Sequence, residues 1–432
     1  MPEWERTTLG AIADVRFSNV DKNSLDGERP VRLCNYMDVY ANDYVRASID
    51  FMEATATEAE IRRFRLDAGD VILTKDSETP NDIGIPAVVE DALKNVICGY
   101  HLALLKPKRE TVDSIFLAKQ IASAEIANYF ARRATGSTRY ALSSRVVVGA
   151  PVQIAPLNEQ RRVSVVLRTV DEAIEQTEAL IAKMQQVKAG IMHDLFTRGV
   201  TPDGRLRPSR EKAPHLYKDS VLGWIPKNWD ARPLFKCVRA DITYGIVQAG
   251  PHVDGGVPYI RTGDMQGETL ERSGLLCTST AISNAYKRSE VRSGEIVFAI
   301  RATIGKVLRV PSELDGANLT QGTARIAPLE AIDPGYLLWC LRSASVQKGI
   351  DLRTKGTTFS EITLGDLRTL PVPLPGDREE QELIACRLNQ CEERVAAERA
   401  YVEKLVMQKS GLMHDLLSGR VRVKPSDGAT QA

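Results

Sequence analysis

Two stretches of the chain carry apolar residues in a seven-residue rhythm. In 159–195, Val163, Val170, Thr177, Met184 and Ile191 alternate with Leu167, Ile174, Ile181, Lys188 and Leu195 at spacings of four and three. In 380–416 the same places hold Ile384, Cys391, Glu398, Leu405 and Leu412, alternating with Leu388, Val395, Val402, Lys409 and Leu416. A heptad sustained this long predicts a helix whose apolar seam is covered by a second helix. The expected seam is Val163, Leu167, Val170, Ile174, Ile181 and Met184 against Ile384, Leu388, Val395, Val402 and Leu405. Lys188 and Lys409 fall at the same seam position, where a polar residue sets register at some cost in stability. Prolines before each stretch (Pro156; Pro371, Pro373, Pro375) predict an extended lead-in and a clean helix start.

The two stretches are copies of each other. They align without a gap at an offset of 221, with Glu159 matching Glu380, Gln160 Gln381, Leu167 Leu388, Lys188 Lys409, and Met-His-Asp-Leu 192–195 repeated at 413–416. The segments upstream differ in most residues but share punctuation. Trp4 matches Trp229, Gly69 matches Gly294, and Gly136-Ser137-Thr138 matches Gly356-Thr357-Thr358. The chain therefore reads as a tandem duplication of a variable globule followed by a constant helix. Within the globules, 71–73, 146–148 and 295–300 read as short strands and 114–130 as helical, which predicts α+β folding over ~150 residues each. The expected organisation is a first globule at 1–157, a first helical spacer at 158–200, a linker at 201–225, a second globule at 226–377, a second helical spacer at 378–423 and a tail at 424–432. The fold class is α+β: two mixed globules and two long helices packed as an antiparallel coiled coil, the whole a pseudo-twofold repeat.

Composition narrows the function. The chain is 43% hydrophobic and 26% charged, as expected of a globular protein. Its apolar runs, such as 336–341, are far shorter than the ~20 residues of a membrane-crossing helix, and no basic-then-apolar leader opens it, so a cytoplasmic location without membrane contact is expected. Seven cysteines without a Cys-x-x-Cys pair suit reduced, buried thiols. A net charge of +1 gives no bulk attraction to polyanions; the first globule is net −3 and the second net +2. There is no Gly-x-Gly triplet, no Asn-Pro-Pro or Asp-Pro-Pro, and no Glu-x-Lys. Ile304-Gly305-Lys306 lacks the flanking glycine and hydroxyl of a phosphate loop. His193 and His414 read as surface positions favoured near helix C-termini rather than as a metal or catalytic pair. No catalytic residue, metal site or cofactor of this chain is expected.

At this point the residues resemble a family, the DNA-specificity subunits of Type I restriction-modification systems. The resemblance spans Trp4 to Val423 and rests on the lead-in Pro156-Leu157-Asn158-Glu159-Gln160, the ending Lys409 to Val423, and the phrase Leu222-Gly223-Trp224-Ile225-Pro226-Lys227-Asn228-Trp229. The second lead-in departs from the pattern, with Pro375-Gly376-Asp377-Arg378-Glu379 preceding Glu380-Gln381. The resemblance implies that each globule reads one half of a bipartite, asymmetric double-stranded DNA site. It implies that the paired helices set the spacer and dock two adenine-N6 methyltransferase subunits, with two motor-nuclease (restriction) subunits completing the complex. S-adenosylmethionine, ATP and Mg²⁺ would belong to those partners. A helix of ~39 residues rises ~58 Å, against ~34–36 Å between half-sites one turn apart. The competing reading is a non-catalytic coiled-coil scaffold with two protein-binding globules.

Two loop types recur in both globules and are the candidate DNA contacts: Lys75 and Ser77 with Arg133, Ser137, Thr138 and Arg139 in the first, and Arg301, Thr303 and Lys306 with Arg353, Lys355, Thr357 and Thr358 in the second. Each joins a flexible glycine or short turn to hydroxyls and cations able to meet phosphate. Arginine there can also pair with guanine, and the competing reading of each loop is an ordinary solvated turn.

Overall fold

The computed structural model describes residues 4–356 and 360–423. The chain separates into two compact units: one is the chain up to Ala179 together with the part from Ala400 onward, the other is Leu180–Arg399. Both boundaries fall inside long helices, Leu157–Arg198 and Arg378–Leu417, so each unit holds one globule and half of each helix.

In the first unit a five-stranded sheet runs in the order Ala13–Phe17, Leu102–Pro107, Val71–Thr74, Pro86–Val89, Tyr44–Val45. Its central strands are apolar on both faces because both are covered. Val71, Leu73, Ala103 and Leu105 face a core shared with the helix Ser114–Ile121, whereas Ile72, Leu102 and Leu104 face a second core under the three-stranded sheet of Arg29–Cys34, Met52–Ala56 and Val96–Cys98. The second unit repeats this alternation. In its strand Ile296–Ala299, Ile296 and Phe298 enter one core while Val297 and Ala299 enter another.

The same closure ties each globule to its helix. Glu5–Thr8 pairs antiparallel with Pro151–Ile154, and Trp229–Pro233 with Pro371–Pro375, so the first strand of each globule zips to the strand that leads into a long helix. Prolines suit a strand with a single partner, because there some backbone N–H groups have no ladder bond to give up.

The heptad expectation holds in both units. Every seam position in both helices is buried or half-buried, and Val163, Leu167, Ile384, Leu388, Val395 and Leu405 are fully buried. Lys409, late in the second helix, meets Asp171, early in the first; in the other unit Lys188 meets Glu392. Within each unit the helices therefore run antiparallel, and both pairs are related by the 221-residue offset.

One local reading changes. Val146-Val147-Val148 is not a strand but the end of a one-turn helix, Ser144–Val148, whose first turn is capped by Ser143 accepting from Val146 N–H. Cap and burial of Val147 override β-branched preference. The stretch 201–225 has no periodicity, yet it is anchored: Tyr217, Ala213 and Ile225 are buried and Arg207 forms an ion pair with buried Glu380. Thr357, Thr358 and the tail from Lys424 lie outside the described residues.

Candidate functional site

The duplicated Glu-Gln of each helix start is what fastens helix to globule. Gln160 accepts from Asp113 N–H at 2.8 Å and donates to the carbonyls of Thr111 and Ala155; Asp113 in turn caps the helix Ser114–Ile121. Gln381 accepts from Asp333 N–H at 2.9 Å, and Asp333 caps the helix Pro334–Arg342. Glu159 receives Arg422 from the chain following the second helix, and Glu380 receives Arg207 from the chain following the first. Trp229 Nε1 also donates to Glu380 at 3.0 Å.

Beside these shared fasteners the two joints differ. In the first unit, Asp43 and Asp171 share the ammoniums of Lys119 and Lys409 at 2.7–2.8 Å, and Tyr44 donates to Asp171 at 2.8 Å. Burial pushes the Asp43 carboxyl up, but the two ammoniums outweigh it and hold it at about 2. Burial opposes the charge on Lys409, and Asp43 with Asp171 overcomes this and raises it above the ordinary lysine value. In the second unit Trp339 takes the place of Lys119, donating to Asn389 at 2.8 Å and lying under Lys188 and Arg342.

The recurring loops are brought together within each globule. In the first, Asp76–Ser77 pairs antiparallel with Tyr140–Ala141, and Thr135 bridges Ala141, so the loop 135–141 is a hairpin laid against the loop that follows Val71–Thr74. In the second, Arg301 and Lys355 both bridge Glu361, the same pairing at the same repeat positions. Gly136 sits at φ +146, where an added Cβ would lie 1.9 Å from the Arg139 carbonyl; no other residue fits there. Its counterpart Gly356 is also left-handed.

Exposure sorts the candidates. Arg133, Ser137, Thr138 and Arg139 are exposed, as are Arg301, Thr303 and Lys355; Lys306 and Arg353 are half-buried. Arg133 stacks on Tyr129 at 4.0 Å, Lys306 lies 3.5 Å from Glu268, Lys355 pairs with Asp366, and Arg353 donates back to Gly349 O in the helix that ends just before it. Lys75 and Ser77 lie beneath this surface. Lys75 donates to Ser18 O at 2.8 Å and sits over the Tyr100 ring, with burial lowering its basicity, and Ser77 is buried in the ladder.

Sequence reasoning missed the aromatic surroundings. Tyr36 and Tyr40 stack with centroids 5.3 Å apart, Tyr100 is half exposed, and His101 meets Asp76 at 2.9 Å. The four-residue spacing of Tyr36 and Tyr40 behind the capping box of Asn35 and Asp38 was the one visible signal. Among the described residues no cluster of three or more His, Cys, Asp or Glu is arranged for a metal, and no helix is long and apolar enough to cross a membrane.

Residues 248–405 match the family described as the Type I restriction modification DNA specificity domain. A putative type I restriction enzyme specificity subunit of Methanocaldococcus jannaschii, MjaX, is 26% identical over 376 residues, covering 85% of this chain and 82% of its own. The MjaVIII specificity subunit of the same organism is 24% identical over 428 residues, covering 98% and 94%. The fold is shared with the crystal structure of a Type I restriction-modification S subunit from M. genitalium, at 15% identity and a TM-score of 0.57 over 96% of both chains.

Proposed function

We propose that the chain is a specificity subunit of a Type I restriction-modification system and that it reads a two-part, asymmetric site in double-stranded DNA, one part per globule. As a specificity subunit it is not the catalyst. The observation that carries the reading is the paired-loop surface, built once in each unit at matching repeat positions but presenting unlike side chains: Arg133, Ser137, Thr138 and Arg139 in one, Arg301, Thr303 and Lys355 in the other. A shared frame with different side chains suits two readers of different sequence, because base edges are distinguished by the donors and acceptors offered to them.

The helix pair is the docking surface for two adenine-N6 methyltransferase subunits, with two motor-nuclease subunits joining them. S-adenosylmethionine, ATP and Mg²⁺ are held by those partners, and the complex works in the cytoplasm. Exposed apolar side chains on the helices, Val165, Tyr401, Val406 and Met407 in the first unit and Leu180 and Val187 in the second, support a partner covering the helices in each unit. The test is to purify the full chain with its cognate methyltransferase and map the adenines it protects on genomic DNA. A two-part motif with a fixed gap is expected; methylation at scattered adenines would overturn the proposal.

A further inference from the structure

The acid–arginine pairs at the centre of the two paired-loop surfaces carry a further inference, which rests on the DNA-reading proposal above. In the first unit Asp76 Oδ1 holds Arg139 Nη2 at 3.2 Å, and Asp76 Oδ2 faces His101 Nδ1 at 2.9 Å. In the second unit Glu361 Oε2 holds Arg301 Nε at 2.9 Å. Asp76 and Arg301 occupy the same repeat position, as do Ala141 and Glu361. Each copy therefore carries an acid–arginine pair between the two loops, with opposite polarity: the acid is on the first loop in one copy, where its arginine lies two residues before Ala141, and the arginine is on the first loop in the other, where its acid stands at the Ala141 position. The pair persists although the residues that make it have exchanged strands.

A carboxylate on a surface meant for phosphate is unfavourable unless its charge is neutralised at once. Asp76 is buried under Arg139 and His101, and Glu361, itself about half exposed, is paired with Arg301. What each acid adds is direction. It holds a long side chain in one orientation before DNA arrives, so less ordering is left to the binding step. Phosphate binding gains little from this, because a mobile cation satisfies a phosphate well; a planar guanidinium matched to O6 and N7 of guanine gains much. Arg301 gives Nε to Glu361, and its two Nη groups have no protein partner among the described residues; on Arg139 the remaining Nε and Nη1 have none. Both side chains are about half exposed, at 48% and 61%.

We propose that Arg139 and Arg301 each read one guanine, one in each half of the site, and that Asp76 with His101, and Glu361, are the positioning residues that aim them. Each half of the motif must then contain a G·C pair.

The experiment uses the full chain in complex with its methyltransferase and duplexes carrying the mapped motif, with each guanine replaced singly by 7-deazaguanine, which lacks the N7 acceptor. In the wild type, one replacement in each half is expected to weaken binding roughly tenfold or more. R139A should abolish that penalty in one half only, and R301A in the other only. D76N should reduce discrimination at the same base pair as R139A while strengthening binding to a duplex without the motif, since a negative charge is removed. Because Asp76 is buried and its variant risks misfolding, E361Q, at a half-exposed position, makes the same test in the second unit. Uniform weakening on every duplex with a shallower salt dependence would show both arginines holding phosphate and overturn this inference while leaving the DNA-reading proposal intact. A motif half without guanine would also overturn it. Absence of any two-part motif would remove the broader proposal with it.

Discussion

The two seam lysines, equivalent in sequence, do unequal work. Lys409 and Lys119 between them neutralise Asp43 and Asp171, and the Asp171 side chain is 2% exposed. Lys188 pairs with Glu392, whose carboxylate is 21% exposed. Replacing Lys409 by Met leaves the buried Asp171 carboxylate sharing the single ammonium of Lys119 with Asp43, and is expected to cost about 2–4 kcal/mol; Lys188→Met leaves Glu392 partly solvated and still near Arg342, at about 1 kcal/mol or less. Urea unfolding of the two variants checks the difference, and equal losses would contradict it. The pH dependence has a fixed sign. The Asp43 carboxyl lies at about 2 in the folded chain, below its ordinary value of about 3.9, so its contribution is complete above about pH 4 and fades as pH falls towards 2. Lys409→Met should flatten the stability profile in that window. The lysines were legible from the heptad alone. Their partners were not, because Asp43 and Tyr44 come from a loop and a two-residue strand that no periodicity marks.

At the scale of elements, what could be read was what repeats on a short period. The 3.5-residue rhythm located both long helices, and the apolar runs of Val71–Thr74 and Ile296–Ala299 located strands at the centre of each globule. The helix Ser144–Val148 was misread, since three consecutive valines favour extended backbone and only the cap and tertiary burial decide otherwise. Its counterpart Leu364–Arg368 is capped the same way, by Thr363 accepting from Asp366 N–H. The repeat itself held the clue, because Ser143 and Thr363 are both cap-forming residues at matched positions. Ser143→Ala and Thr363→Ala are each expected to cost about 1 kcal/mol, and Ser143→Thr much less. Melting temperatures of the three variants measure this; an unchanged Ser143→Ala protein would mean that packing alone holds the turn. The candidate loops were legible as loops. Which of their residues reach the surface was not, because the ladder that buries Ser77 and tucks Lys75 against Ser18 and Tyr100 joins segments about 60 residues apart.

For the whole molecule, duplication with divergence implies that either globule can be exchanged without disturbing the other, provided its fastenings to the helices survive. In the first unit those are specific: Gln160 and Ser164 hold Asp113, Tyr44 and Lys119 meet Asp171, Arg46 meets Glu175 at 2.8 Å, and Gln120 donates to Leu417 O at 2.8 Å. A donor replacing residues 1–157 must supply an acid at the helix cap and a cation and a hydroxyl for Asp171. Without them Asp171 keeps Lys409 as its one cationic partner and loses two of the groups that compensate its burial, an expected loss of several kcal/mol. With them, the chimera assembled with the methyltransferase is expected to methylate a motif in which one half is new and the other unchanged. Change in both halves, or in neither, would mean that recognition is spread across the repeat and not divided between its copies. A melting curve taken beside the methylation map separates that outcome from simple failure to fold, since a chimera that keeps the wild-type transition but misreads the motif has lost modularity rather than structure.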